Sequence, residues 1–571
     1  MLLEYEITNF KAFSGPESVP VRPITLIFGP NSSGKSSILQ SLLMLKQTIA
    51  EKENSLTPLL FKGNLVDLGS YREFIHRHEV ARSFYFKVTL PMPKSLTAPF
   101  QFPDYIFDVA LPQAEFGDLE ESLKNFPTVG IGIAFSHSQD QYATHVSQID
   151  LFIGKNPIPA ITYGSDFILP HAEGKLRIVA FCNLNEKHEY WASHWKTFDK
   201  EDDTHVRAVL EKASEAAWLD EKQEAFEKLS PEDQEAFTRE LQSVASTPEA
   251  EEEELATGTF PHYSAKFPQE VMDKLLKLTG FELAIETYKI LRENDMLGLR
   301  GFLPDTLDFG DMSDIISYFP EEYSRNLSVL ALTVAPMVRR VLDETLYIGP
   351  LRNFPERYFM YSGISSDYVG KSGNFVPDIL VSDTELLAKV NEQFERFDLG
   401  YELKLSSLSD ETTAVHDLFA LRLYDKSTGI HVGTTDVGFG FSQVLPVIAQ
   451  CLISKKNMIL IEQPELHLHP RLQAELGDLF IDSALGDPKN TLIIETHSEH
   501  LILRLLRRIR ESAEGKLSQG QIPITPDDLA VVYAKPTKVG TKLVHLRVTE
   551  DGDFADPWPD GFFAERAKEL L

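Results

Sequence analysis

Two cysteines in 571 residues, Cys182 and Cys451, are too few for a disulfide framework or a cysteine-based zinc site. Both read as small buried apolar residues in a reducing compartment. Long apolar runs are missing too: no stretch approaches the roughly 18 to 20 residues that a bilayer-crossing helix needs. That excludes a membrane partner reached through a span of the chain's own. The opening MLLEYEITNF alternates like a strand and carries acidic residues early, which fits neither a secretory signal nor a transit peptide. The expected address is cytoplasmic. Basic charge is scarce: 55 Lys and Arg stand against 86 Asp and Glu, a formal net charge of −31. A surface of that sign is no general platform for nucleic acid, whose phosphates are gripped mainly through Lys and Arg. The acidity is concentrated between Glu186 and Leu255 and includes the run Glu251 to Glu254. That block reads as solvated surface or connector.

What is present is a Gly-bounded turn between two regular segments. Ile24 to Leu39 reads ITLIFGPNSSGKSSIL: an apolar strand, a turn of the form G-x-x-x-x-G-K-S, then helical apolar spacing. Gly29 and Gly34 let the backbone curl until successive N–H groups converge on phosphate oxygens, and the helix opening there adds the positive end of its dipole. Gly29, Pro30, Asn31, Ser32, Ser33, Gly34, Lys35, Ser36 and Ser37 are therefore the expected ATP-binding residues. Lys35 would reach the β- and γ-phosphates, and the Ser36 hydroxyl would ligate the nucleotide's magnesium. The expected ligands are ATP and Mg2+.

Along the chain, residues 2–10 and 24–28 read as strands on either side of a turn centred on Pro16 to Pro23, and the helix from Gly34 runs to about Glu51. Alternating segments divided by Pro and Gly follow: SFYFKVTL, DYIFDVAL, VGIGIAF, HVSQIDLFIG and IPAITYG. They predict a mostly antiparallel lobe. Charged helix formers run on to about Gln242, and further helical blocks are expected near Gln269 to Arg292 and Asp311 to Leu346. No sustained heptad makes this region a coiled-coil arm. From Leu346 an α/β character returns, with a helix at Asp383 to Phe397, strands within Ala414 to Tyr424, and two tail strands, LAVVYA and KLVHLRV.

Three later segments carry chemistry. DVGFGFSQ, Asp436 to Gln443, is a Gly/Ser/Gln turn opening an apolar helix. NMILIEQPE ends an apolar strand in Glu462, the hard anionic oxygen that a phosphate-bound magnesium needs. Thr491 to Glu495 is a further apolar strand, followed by Thr496, His497 and Ser498. Taken in order, these segments and the Gly-rich loop resemble the Walker A, signature, Walker B and switch-histidine motifs of the ABC-type ATPase head.

The resemblance implies an α/β fold: an ABC-type P-loop ATPase head split by a large mixed β and α-helical insertion. Residues 1–95 would form the N-terminal part of the head. The insertion, 96–345, would hold a β-rich lobe and then the acidic helical region. Residues 346–571 would carry the signature, Walker B, the switch histidine and a short tail. ATP would be sandwiched between two subunits, the loop of one holding the phosphates while Gly438, Gly440, Ser442 and Gln443 of the other present a helix N-terminus to the γ-phosphate. Glu462 would join Ser36 at magnesium, and His497 would contact the γ-phosphate or the attacking water. Pro470, with His467 and His469, falls in the dimer-contact loop, and that H-x-H pair lacks a third ligand nearby for zinc.

Two departures narrow the family. GFGFSQ replaces an LSGGQ-like signature and a long insertion separates the Walker motifs, which argues against a transporter subunit. The pattern resembles the OLD-like branch of these ATPases, including the ATPase subunits of Septu-type and retron-associated antiphage systems, and the ending WPDGFF is similar to a tail seen in one such group. The other departure is Gln463, at the position usually held by the catalytic Glu. A Gln orients water but takes no proton at neutral pH, so either Glu465 substitutes or turnover is slow. Gln463, Glu465 and His497 are the expected catalytic residues.

The function so implied is a dimeric ATPase that regulates a separate effector in antiphage defence, such as an HNH-type nuclease, with a retron reverse transcriptase and its nucleic acid as a further partner. A DNA-repair clamp resembling RecF or the SMC heads is the alternative, favoured by one basic helix with Arg504, Arg507, Arg508 and Arg510; direct nucleic-acid binding stays open. An OLD-like nuclease is the lesser alternative. It would use Glu550, Asp551 and Asp553, but only ~75 residues follow His497, too few for a TOPRIM domain.

Overall fold

The computed structural model describes residues 2–50, 58–93, 123–138, 143–170, 176–184, 296–300, 303–308, 334–353, 356–363, 366–408, 417–438 and 440–559. The expected acidic connector, the segment DYIFDVAL, the helical block at 269–292 and the first part of the block from Asp311 lie outside these residues.

Two sheets enclose one helix. The antiparallel sheet runs β2 (Glu17–Pro20), β1 (Glu4–Thr8), β4 (Phe84–Pro91), β5 (Thr128–Ser138), β6 (Ala143–Ile153), β7 (Ile161–Pro170) and β8 (Leu176–Leu184). The other sheet has the order β11 (Thr345–Ile348), β16 (Met458–Glu462), β17 (Thr491–Glu495), β3 (Ile24–Phe28), β18 (Leu529–Pro536) and β19 (Thr541–Leu546). Its neighbours are parallel except β18 and β19. Every residue of β3 and β16 is buried, as a parallel sheet covered on both faces demands.

Helix α1 (Lys35–Ala50) lies between the sheets, with twelve of its sixteen residues buried. Its core joins Ile27, Leu460, Ile493 and Val532 of the parallel sheet to Tyr5, Ile7, Phe84 and Phe86 of the antiparallel one. A helix covered on opposite sides can spare no polar face, which explains why Ile38, Leu39, Leu42, Leu43, Met44 and Leu45 crowd together in its sequence. Its buried Ser41 is satisfied by the Tyr5 hydroxyl, which donates to Ser41 Oγ at 2.8 Å.

The opposite face of the parallel sheet packs on a second core. After a one-turn helix α2 (Tyr71–Phe74) and α3 (334–343), this core is supplied by α4 (Val376–Ser382), α5 (Thr384–Arg396), α6 (Gly440–Ile453), α7 (Pro470–Leu485) and α8 (Glu499–Ala513). A small sheet flanks them, with β14 (Leu418–Asp425) paired to β12 (Phe359–Met360), β13 (Tyr401–Ser407) and β15 (Ile430–Gly433). The strands β9 (Met296–Arg300) and β10 (Leu303–Asp308) form an antiparallel pair. No described helix is long and apolar enough to cross a membrane.

Two expectations change. The segment from Pro16 to Pro23 is not simply a turn, because β2 lies inside it as an edge strand, where Pro is tolerated. Its Glu17 is buried because the Lys542 ammonium pairs with it and the Leu543 N–H donates to it at 2.7 Å. Those partners lie more than 500 residues away in sequence. Secondly, β5 pairs directly with β4, so one hydrogen-bonded sheet crosses the expected boundary at residue 95.

Candidate active site

The loop from Gly29 to Ser36 joins β3 to α1 and needs three left-handed residues, Gly29 at φ 146°, Ser32 at 59° and Gly34 at 92°. A side chain at Gly29 would also meet the Ala534 carbonyl of β18, its Cβ only 2.7 Å from that oxygen. Glycine is thus required twice over there. The loop is clamped from β19 as well, where Thr541 Oγ1 donates to the Ser33 carbonyl at 2.7 Å.

Beside it lies a cavity of about 410 Å³, lined by residues 31–37 together with Lys11, Ala12, Gln463, Glu495 and His497. The Ser33 hydroxyl is buried without a hydrogen-bond partner. Lys35 Nζ donates to the carbonyls of Gly29 at 3.1 Å and Pro30 at 2.8 Å. Burial lowers the pKa of that ammonium, while the negative charges of Glu495 and Glu465 oppose the shift. An open concave loop with an orphaned donor, a lysine and the start of a sixteen-residue helix fits a phosphate chain.

Two carboxylates end adjacent strands. Glu462 of β16 and Glu495 of β17 are register partners, and Glu495 in turn sits opposite Ile27 of β3. The Tyr347 hydroxyl donates to Glu462 Oε1 at 2.8 Å, and the Arg352 guanidinium donates to the backbone carbonyls of Glu462 at 2.8 Å and Gln463 at 3.3 Å. Burial pushes the Arg352 pKa down to about 10, which leaves it charged. Gln463 is left-handed at φ 44°, a strained conformation held by Arg352 and by its own N–H on the Glu495 carbonyl.

Burial, and then the charge of Glu495, raise the Glu462 pKa to about 7. A carboxyl raised above its unfolded value holds more protons when folded, so this group weakens the fold as pH climbs from about 4.5 to about 7. Glu462→Gln is therefore expected to stabilise the protein at pH 8 by up to about 3 kcal/mol, an advantage that fades towards pH 5. Thermal midpoints of both proteins across that range check it, and parallel curves would show Glu462 ionised throughout.

Glu465 is buried and both its oxygens are engaged: Oε2 accepts from Thr496 Oγ1 at 2.8 Å and Oε1 from the His497 N–H at 2.6 Å. It ties the Walker B turn to the turn that carries His497, and it does not line the cavity. His497 does, and burial first, then the charge of Lys35, lower its pKa, so the imidazole is neutral at neutral pH. The expected H-x-H pair divides: His469 caps α7, its Nδ1 accepting from the Arg471 N–H at 3.3 Å, and His467 is left-handed at φ 61°. Among the described residues no group of three or more His, Cys, Asp or Glu is placed to hold a metal.

Two family profiles match this sequence. An AAA ATPase domain matches residues 1–283, and an AAA domain described with the AbiEii toxin and a Type IV TA system matches residues 308–504. The chain is a P-loop ATPase. No protein of curated function matches it. Solved structures that align with the ATPase include an SMC head bound to the C-terminal winged-helix domain of ScpA, at 11% identity over 96% of this chain and 97% of that one, TM-score 0.34. The SMC head domain from Thermotoga maritima aligns at 8% identity over 96% and 99%, TM-score 0.32. An Smc head with an extended coiled coil, bound to the C-terminal domain of ScpA from Pyrococcus furiosus, aligns at 12% over 100% and 98%, TM-score 0.33.

None of the residues expected to form the signature, Gly438, Gly440, Ser442 and Gln443, lines the cavity. Gly438 is exposed with nothing within 4 Å of an added Cβ, whereas a Cβ on Gly440 would lie 2.7 Å from the His467 carbonyl. The start of α6 and the turn after β16 thus pack together within one subunit. The basic helix α8 is occupied by its neighbours. Arg504 pairs with Glu475 and Asp478, Arg508 with Asp478 and Glu511, Arg507 with Glu511, and Arg510 with Asp553 at 3.6 Å. Asp551 and Asp553 belong to a turn closed by the Thr549 N–H on the Asp553 carbonyl.

The sequence reading passed over Lys11, Tyr347, Arg352 and Glu495. For Glu495 a signal existed, since it too is an acid ending an apolar strand. For Arg352 and Tyr347 there was none, because their roles depend on contacts 110 and 115 residues away.

Proposed function

We propose that two copies of the ATPase close on ATP and that the closed state is read by a separate effector protein in bacterial antiphage defence, a nuclease being the class the family resemblance favours. The observation that carries the dimer is that no residue at the N-terminus of α6 lines the cavity of its own chain, so a contact between that helix start and the phosphates would come from a second chain. The AbiEii and Type IV TA description supports a two-part system.

Within the site, residues 29–37 bind and orient the phosphates, with Lys35 neutralising their charge. Ser36 and a carboxylate at the end of β16 or β17 are the groups fit to hold magnesium, which when bound would screen the phosphate oxygens. Gln463 and neutral His497 orient the attacking water. Gln463 cannot take its proton, and His497, its pKa lowered by burial, is a weak base for it, so turnover is slow and the closed dimer long-lived.

Gln463→Glu is expected to raise turnover by on the order of 10-fold or more and to shorten the closed state, if the water sits at that position. Steady-state phosphate release measures it, and unchanged turnover in the folded variant removes Gln463 from the water site. The functional reading itself is tested by purifying the full-length protein with its neighbouring gene products, with and without ATP. A partner retained only in the ATP state supports it. Salt-sensitive binding of duplex DNA with no protein partner would favour the clamp instead.

A further inference from the structure

We propose that Glu495, rather than Glu462, is the carboxylate that faces magnesium in this ATPase. The assignment rests on the ATP-binding reading above and sharpens it. Ser36, the hydroxyl ligand of the loop, donates from Oγ to Glu495 Oε1 at 3.0 Å. Glu495 is 2% exposed, and its second oxygen, Oε2, is buried with no well-formed hydrogen bond, the Gln463 side chain being the other group that approaches the carboxylate. It lines the cavity with Lys35, Ser36, Gln463 and His497. A buried carboxylate with so few well-formed hydrogen bonds is costly unless a cation completes it. Magnesium held between phosphate oxygens, the Ser36 hydroxyl and this carboxylate, directly or through water, satisfies that need.

Glu462 occupies a different place. It lies one strand farther from β3, does not line the cavity, and accepts the Tyr347 hydroxyl. The sheet order explains the exchange. Because β17 lies between the Walker B strand and the loop strand, an acid ending β17 is the nearer of the two to the phosphates. A smaller residue at 495 would leave Glu462 a clear approach; with Glu495 present the nearer oxygen meets the ion.

The test is equilibrium binding of a fluorescent ATP analogue to the full-length protein, in EDTA and in saturating Mg2+. Wild type is expected to bind more tightly with Mg2+. Glu495→Gln, which keeps the size of the side chain and an acceptor for Ser36, should lose that gain by roughly 10 to 100-fold while keeping its metal-free affinity. Glu462→Gln should retain the gain. Ser36→Ala should lose it, and the double variant Ser36→Ala with Glu495→Gln should lose little more than either alone, since both act through one ion. A Glu495→Gln protein with the full Mg2+ gain overturns the assignment, as does loss of the gain in Glu462→Gln alone. Wild type that binds no nucleotide in either condition overturns the ATP reading, and this assignment with it. Thermal midpoints separate loss of metal from loss of fold.

Discussion

Lys35→Ala is expected to abolish ATP turnover, lowering it by on the order of 100-fold or more, while changing stability by less than about 1 kcal/mol. The two halves of that expectation have separate causes. Lys35 is the cation placed in the phosphate loop, so its loss removes charge neutralisation where charge develops in the transition state. Its hydrogen bonds, however, go only to the loop carbonyls of Gly29 and Pro30, and burial already penalises its charge. Nothing in the core depends on it. Phosphate release and thermal unfolding of the purified variant measure both halves. Wild-type affinity and turnover in a folded Lys35→Ala protein would remove the loop from the mechanism.

Ser442→Arg should give an equally inactive protein for a different reason. Each subunit should still bind ATP, yet pairing should fail, because a long cation at the start of α6 occupies the space meant for the opposing phosphate. Ser442 is 8% exposed, so Gly438→Glu is the companion variant, at an exposed position where an added side chain meets nothing and repels phosphate by charge alone. Mixed with Lys35→Ala, either variant should restore activity. Random pairing makes about half the dimers mixed, each with one intact site, so about a quarter of wild-type turnover should return. Proven mixed dimers without recovery would show that the site is not shared between subunits.

The loop was legible in sequence because its demands are local. Gly29 and Gly34 must be glycine for their own backbone angles, and the strand before them and the helix after them follow from adjacent residues. The acids were harder. Glu462 and Glu495 both end apolar strands, and no rule applied to either strand alone says which is nearer to Ser36. That follows from the order β16, β17, β3, a fact about three segments more than 430 residues apart at the extremes. Glu465 illustrates the same limit. It was expected as a substitute for the base that Gln463 cannot be, whereas its oxygens accept hydrogen bonds from the Thr496 and His497 turn. The reading of β2 as part of a turn failed because Pro16, Pro20 and Pro23 are strong local signals, overruled by the distant contacts of Lys542 and Leu543 with Glu17.

The clamp on the phosphate loop carries a consequence for how the protein is made. The strand that leads into the loop emerges from the ribosome among the first 30 residues, but its neighbours in the sheet, β17 and β18, are translated only after residue 490. Thr541, which closes on Ser33, comes later still. Until then β3 has two unpaired edges, and helix α1 has only the antiparallel sheet to cover it. Contacts spanning nearly the whole chain form slowly, since the entropy of closing so long a loop precedes any reward. Nascent chains stalled before residue 490 should therefore ignore ATP, and a nucleotide-competent subunit can arise only once translation has passed the tail strands.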